Sequence, residues 1–241
     1  MILQQFMPKV QLSMQQNKIY KIYQLLYDKY GPQGWWPYIN HTPSYHPLDY
    51  SFPKNQDEIF EVCLGSILTQ NTTFSSVVKS LNNLKELNCL SSQKIKNIDK
   101  ETFKTAIKPV GYFNQKTRYI LEFIKFYDSL NGSVPTRDEL LNVTGIGEET
   151  ADSILLYAYN QPQFKVDAYT KRLFLHLGFI DEKYKYKDIK NLVESKLKTI
   201  IKNQKDLIIV YQEFHALIVQ HGKNFYSKKT YGAGCFLKDQ L

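Results

Sequence analysis

The chain has 241 residues and a mass of 28.3 kDa, enough for one large domain or two modest ones with a sizeable buried core. Hydrophobic residues make up 43% and aromatics 14%, which excludes a disordered or low-complexity protein. A net charge of +8 and a pI near 9.1 favour a polyanionic partner such as a phosphate backbone, and three cysteines are too few for a disulfide framework or a tetrathiolate metal site.

Met1 to Leu12 lacks a basic segment followed by a long apolar core, and no later stretch approaches the length of a membrane span. A cytoplasmic, nucleoid-associated protein without signal peptide or transmembrane segment is therefore expected, with no membrane partner. Ile19, Ile22, Leu25 and Leu26 recur at helical spacing and predict a first helix. From Gly31 to Asn55 the chain carries Pro32, Pro37, Pro43, Pro47 and Pro53 among several aromatics. That is too proline-rich for a helix and too aromatic for a free linker, so an ordered loop packed on the body is expected. A helix over 58–69, opened by Asp57 as its cap, holds Cys63 as a small buried hydrophobe. Phe74, Val77, Val78, Leu81 and Leu84 mark another, as do Tyr119, Ile120, Phe123 and Tyr127.

Lys94, Lys96, Lys100, Lys104, Lys108, Lys116 and Arg118 fall in one central stretch, readable as a face for a polyanion or as an ordinary solvated surface. Further helices fit 148–159, 167–177, 187–202 and 205–220; Leu207–Tyr211 alone reads as a strand, but the surrounding periodicity favours helix. The expected fold is all-α in two helical lobes. One is a central domain over 56–161; the other is built from 1–55 together with 162–241, and residues 160–166 with Pro162 cross between them. His41, His46, His176, His215 and His221 show no metal-ligand spacing, so no catalytic metal is expected.

Residues 137–159 read as a short helix, then Thr144-Gly145-Ile146-Gly147, then a second amphipathic helix. A Gly-x-Gly turn leaves backbone N–H groups unobstructed, and the second helix opens with unpaired N–H groups at its positive dipole end, where a phosphate docks. A plain helical corner needs the same glycines. The flanking pattern, with apolar residues around both glycines and Thr150-Ala151 after them, is more specific than the glycines alone.

This segment resembles the helix-hairpin-helix motif of the endonuclease III superfamily of base-excision DNA glycosylases, and the resemblance runs from about residue 34 to 223. It implies a hairpin at a DNA-binding cleft that grips phosphates beside a lesion through Thr144, Gly145, Ile146, Gly147 and Thr150. It also implies a monovalent cation on the carbonyls of Leu141, Val143 and Ile146. The partner implied is double-stranded damaged DNA, bound by a monomer. Lys165-Val166-Asp167 with Arg172 looks like the segment carrying the family's catalytic aspartate. Breaking an N-glycosidic bond builds positive charge on the deoxyribose, which a fixed carboxylate stabilises while orienting water. Asp167 also suits a helix N-cap, and both roles hold together.

Members that cut the DNA backbone place a lysine on the second hairpin helix, where this chain aligns Glu149. A carboxylate forms no Schiff base, so a monofunctional glycosylase without lyase activity is expected. Many members also hold an iron–sulfur cluster after a His-Gly segment. Here His221-Gly222-Lys223 is followed by Cys235 as the one cysteine, and no cluster is expected.

Gln70, in Leu-Thr-Gln-Asn-Thr-Thr-Phe, resembles the family residue that fills the gap left by a flipped nucleotide. Trp35, Trp36 and Phe74 resemble the base pocket of the 3-methyladenine glycosylase subgroup known as MagIII, and Gly111 to Lys116, Phe214-His215 and Lys223 extend the match. Electron-poor alkylated purines suit such rings. By the same resemblance Lys223 and Tyr112 lie near the pocket or a phosphate. Two other readings stay open: a glycosylase for a different damaged or mismatched base, and a non-catalytic helix-hairpin-helix DNA-binding module.

Overall fold

The computed structural model describes residues 17–42, 44–227 and 230–241, so the expectations for Met1 to Leu12 and for Pro43 lie outside the described residues. The described residues form helices and one 3-10 turn, and no strand occurs among them. None of these helices is long and apolar enough to cross a membrane. The chain divides into two compact units, Trp36–Gln161 and Met1–Trp35 with Pro162–Leu241.

The continuous unit carries α2 (Gln56–Leu68), α3 (Phe74–Glu86), α4 (Ser92–Asn97), α5 (Lys100–Ile107), a 3-10 turn (Lys108–Val110), α6 (Phe113–Ser129), α7 (Arg137–Leu141) and α8 (Glu148–Tyr157). Its core forms around α2, which is apolar on nearly every side and packs against α3, α6 and α8. The cap of α2 is Asn55 and not Asp57: the Asn55 side chain accepts the Glu58 N–H at 3.0 Å. Asp57 lies one step inside the helix, where its charge meets the positive dipole end instead.

From Trp36 onward the proline-rich stretch belongs to this unit, so the N-terminal boundary falls at Trp36 and not at residue 56. The loop forms no helix or strand in its described part. Tyr38 is buried in a cluster of rings with His41, His46 and Phe52, and Asn160 donates to the Phe52 carbonyl. The buried Glu61 carboxylate accepts the Ile39 N–H and the Asn40 amide. These bonds satisfy backbone groups that a loop otherwise exposes to water.

The discontinuous unit holds α1 (Lys18–Tyr30), α9 (Ala168–His176), α10 (Tyr186–Ile200), α11 (Gln204–Phe225) and α12 (Leu237–Gln240). Here α11 is the central element, packed against α1 and α9, and the segment from Leu207 to Tyr211 is helical within it. Gly222 is required by packing: a Cβ there would stand 2.4 Å from the Tyr169 ring of α9. The tail after α11 folds back with its aromatics inward. Tyr226 and Leu237 are fully buried, and the Arg172 guanidinium stacks 4.6 Å from the Tyr231 ring.

Candidate functional site

In the continuous unit, the segment from α7 to α8 forms the expected hairpin. A capping box closes the start of α7, with Thr136 and Glu139 bonding reciprocally. Arg137 then reaches across to the buried Asp152 of α8, Nε to Oδ1 at 2.8 Å, and to Glu148 at 3.2 Å. This pins the two helices at a fixed angle. The two glycines between them have different reasons to be there. Gly145 has φ +89°, and a Cβ would lie 2.1 Å from the Tyr119 ring, so both backbone and packing demand glycine.

Gly147 has φ −96°, which any residue adopts, and a Cβ there would meet nothing within 4 Å. It is the N-cap of α8, no side chain caps that helix end, and Gly147, Glu148 and Glu149 are exposed. A helix start with open space beside its N-cap glycine and no side-chain cap there is suited to an anion. Thr144 is exposed, while Ile146 and Thr150 are buried, so the last two shape the turn from within.

Gln70 is placed beside the hairpin. Its Nε2 donates to the Gly145 carbonyl at 2.9 Å and to the Thr150 hydroxyl at 3.0 Å. Trp36 is only 2% exposed, with its ring against Gly65, Phe74 and Tyr157. Its place is in packing, whereas Phe74 is half-buried at the start of α3.

Sequence reasoning counted Lys116 among the surface lysines, but it is 2% exposed and donates to the carbonyls of Leu68 and Val110. Of the remaining basic side chains of that stretch, Lys96, Lys100, Lys104 and Arg118 line a groove of ≈ 560 Å³, together with Lys125. Several are already paired: Lys96 with Asp128, Lys104 with Glu101, and Lys125 with Glu122.

In the discontinuous unit, Asp167 caps α9. Its Oδ1 accepts the Thr170 N–H at 2.8 Å and the Thr170 hydroxyl at 2.9 Å. Its Oδ2 faces His215 Nε2 at 3.5 Å, the outer limit of hydrogen-bond distance. Burial opposes ionisation of Asp167. The His215 ring, the nearby Lys165 ammonium and the Thr170 amide outweigh it and hold the carboxyl well below the usual carboxylate range. Burial and then Lys165 push the His215 imidazole below its ordinary value, so a neutral ring faces an ionised carboxylate at neutral pH.

The half-buried Trp35 ring meets the His215 ring edge-on, with centroids 5.7 Å apart. One turn of α11 organises this region. Glu213 accepts the N–H groups of Gln33 and Gly34, fixing the approach to Trp35, and His215 supports both Trp35 and Asp167. Glu213 was not singled out from sequence, because a glutamate on an apolar helix carries no local sign of its distant backbone partners. Lys223 stands exposed near the end of α11.

The donor set does not fit an iron–sulfur cluster. Cys63 and Cys89 are buried in the continuous unit. Cys235 Sγ lies 3.2 Å from His221 Nε2, whose Nδ1 lies 2.9 Å from the Tyr30 hydroxyl. That hydrogen-bonded chain fastens the tail to α11 and α1. Among the described residues, no group of three or more His, Cys, Asp or Glu is placed to hold a metal ion.

Residues 64–199 match the model of the HhH-GPD superfamily of base excision DNA repair proteins. The chain is 41% identical over 240 residues to MJ1434 of Methanocaldococcus jannaschii, named as a DNA repair glycosylase, covering 94% of this chain and 98% of that one. It is 30% identical to endonuclease III of Sulfolobus acidocaldarius, over 75% of this chain and 80% of that relative. Among solved structures, the 3-methyladenine DNA glycosylase MagIII of H. pylori, bound to 1,N6-ethenoadenine, matches with a TM-score of 0.67 and 29% identity. That match covers 86% of this chain and 97% of MagIII.

Proposed function

From the premise that the chain belongs to the HhH-GPD superfamily of base excision DNA repair glycosylases, we propose that it is a monofunctional DNA glycosylase that hydrolyses the N-glycosidic bond of alkylated purines of the 3-methyladenine type. The observation that carries the reading is Asp167: a carboxylate kept ionised despite burial, with Oδ1 engaged by Thr170 and Oδ2 facing a neutral imidazole. Such a group stabilises positive charge as the sugar–base bond breaks and orients the attacking water.

The other roles follow unit by unit. The open N-terminus of α8, reached through Thr144 to Gly147, takes a DNA phosphate, and Thr150 supports the turn. In the continuous unit Trp36 backs Phe74 from the core, and Tyr112 contacts the DNA backbone or the base; in the discontinuous unit Trp35 presents ring surface to the extruded base, and Lys223 contacts the DNA backbone or the base. Gln70 fills the vacated stack after leaving its bonds to the hairpin. Glu149, where lyase members carry lysine, offers no amine for a Schiff base, so the product is an abasic site. A monovalent cation would bind the carbonyls of Leu141, Val143 and Ile146; the Val143 carbonyl accepts the Ile146 N–H and keeps its second lone pair for such an ion.

A second reading, removal of a different damaged base by the same Asp167, is favoured by one observation. The burial of Trp36 takes one of two tryptophans out of direct contact with a base. Duplexes bearing 3-methyladenine, 7-methylguanine, hypoxanthine, uracil or 8-oxoguanine separate the two. Release of methylated purines ahead of the rest supports the first; DNA binding without release of any base overturns both.

A further inference from the structure

Lys116 is a buried ammonium whose Nζ donates to two backbone carbonyls, Leu68 at 2.9 Å and Val110 at 3.0 Å. Burying such a charge is unfavourable in the folded state. Burial pushes its pKa down to about 8. Packing does not call for it, since a methionine fills a similar volume.

What the lysine joins is more informative. Leu68 is the last residue of α2, and the chain leaves it for Thr69, Gln70 and Asn71. Val110 ends the 3-10 turn, and the chain leaves it for Gly111 and Tyr112. Both departing turns use left-handed backbone, with φ of 51° at Asn71, 67° at Gly111 and 46° at Tyr112. Asparagine and glycine enter that region readily, but a tyrosine stays there only where its surroundings over-determine it. Tyr112 is 70% exposed, the most exposed large hydrophobic side chain among the described residues. The hairpin is tied to the same assembly, since Gln70 bonds to Gly145 and Thr150, and Tyr119, on the same helix as Lys116, closes on Gly145.

We propose that Lys116 is a positioning residue: it ties the roots of the Gln70 turn and the Tyr112 turn together and so sets their spacing against the hairpin. The three segments then meet DNA as one rigid edge. Lys116 itself touches no DNA. The inference rests on the reading of this protein as a glycosylase that recognises a gap in the base stack.

The test compares wild type, K116M and K116R on a duplex carrying a tetrahydrofuran abasic analogue and on the same duplex undamaged, with thermal unfolding measured in parallel. K116M keeps a near wild-type Tm, because removing a buried charge offsets the loss of its hydrogen bonds. It binds undamaged duplex normally and loses about tenfold of the preference for abasic duplex. K116R, which retains charged donors, recovers most of that preference. A K116M protein that discriminates like wild type overturns the proposal. So does one that no longer folds, because the lysine is then a stability element. If wild type shows no preference for the abasic duplex, the glycosylase reading itself fails, and the positioning role with it.

Discussion

Replacing each hairpin glycine by alanine separates folding from phosphate binding. At Gly145, with φ +89° and the Tyr119 ring 2.1 Å from the added Cβ, left-handed alanine costs about 1–2 kcal/mol and displacing the ring about 1–3 kcal/mol more. For a chain of this size that lowers Tm by roughly 5–15 °C. At Gly147 the same change meets open space at φ −96°. Loss of glycine at a cap costs about 0.5–1 kcal/mol, and the stiffer unfolded chain returns a similar amount, so Tm stays within about 3 °C. The Cβ nevertheless enters the space that a phosphate needs in order to reach the N–H groups of α8. Losing one or two charge-assisted hydrogen bonds weakens binding by about 10–100-fold. Fluorescence anisotropy with an abasic duplex, over a series of salt concentrations, measures this; the salt slope stays unchanged because no cation is removed. A Gly147→Ala protein that binds as tightly as wild type would refute the idea that α8 receives a phosphate.

Asp167→Asn should abolish base release, by about 100-fold or more in single-turnover excision, while binding to abasic DNA stays within a few-fold of wild type; an active variant contradicts the mechanism. Borohydride should trap no wild-type protein on abasic DNA, whereas Glu149→Lys places an amine on the second hairpin helix and should begin to yield covalent complex. Trapping of the wild type would show that another amine serves as a lyase nucleophile. Trp36→Ala, at a position 2% exposed, should cost about 3–5 kcal/mol in stability. Trp35→Ala should lower excision more than it lowers Tm, and calorimetry beside excision kinetics tells the two apart.

The elements readable from sequence were those with long periodic faces or local signatures. Helices α9, α10 and α11 carry enough repeats to declare themselves, and Asp167 is visible both as a cap and as part of a motif. The Gly-x-Gly turn was equally plain. By contrast α4 and α5 are too short for a 3.6-residue pattern to stand out from their lysines. Only their caps, Ser91 and Asp99, mark them, each accepting an N–H three residues on. Lys116 was misread because what buries it is a pair of backbone carbonyls, and a carbonyl has no residue identity to detect. The place of Trp36 depends on Gly65, which lets the indole lie against α2. The support of Asp167 by His215 joins residues far apart in the chain, a pairing that helical spacing does not encode.

Gln70 has a kinetic consequence. Its amide hydrogens are already matched by the Gly145 carbonyl and the Thr150 hydroxyl, so nothing urges the side chain outward while intact duplex slides past. On the proposed reading of Gln70 as the residue that fills the vacated stack, it is a probe kept sheathed. Only a gap offering comparable hydrogen-bond acceptors makes release free of penalty, which converts a vacancy in the stack into a threshold for stopping. A Gln70→Leu protein would lack that threshold, and it should dwell on undamaged and damaged DNA for more nearly equal times.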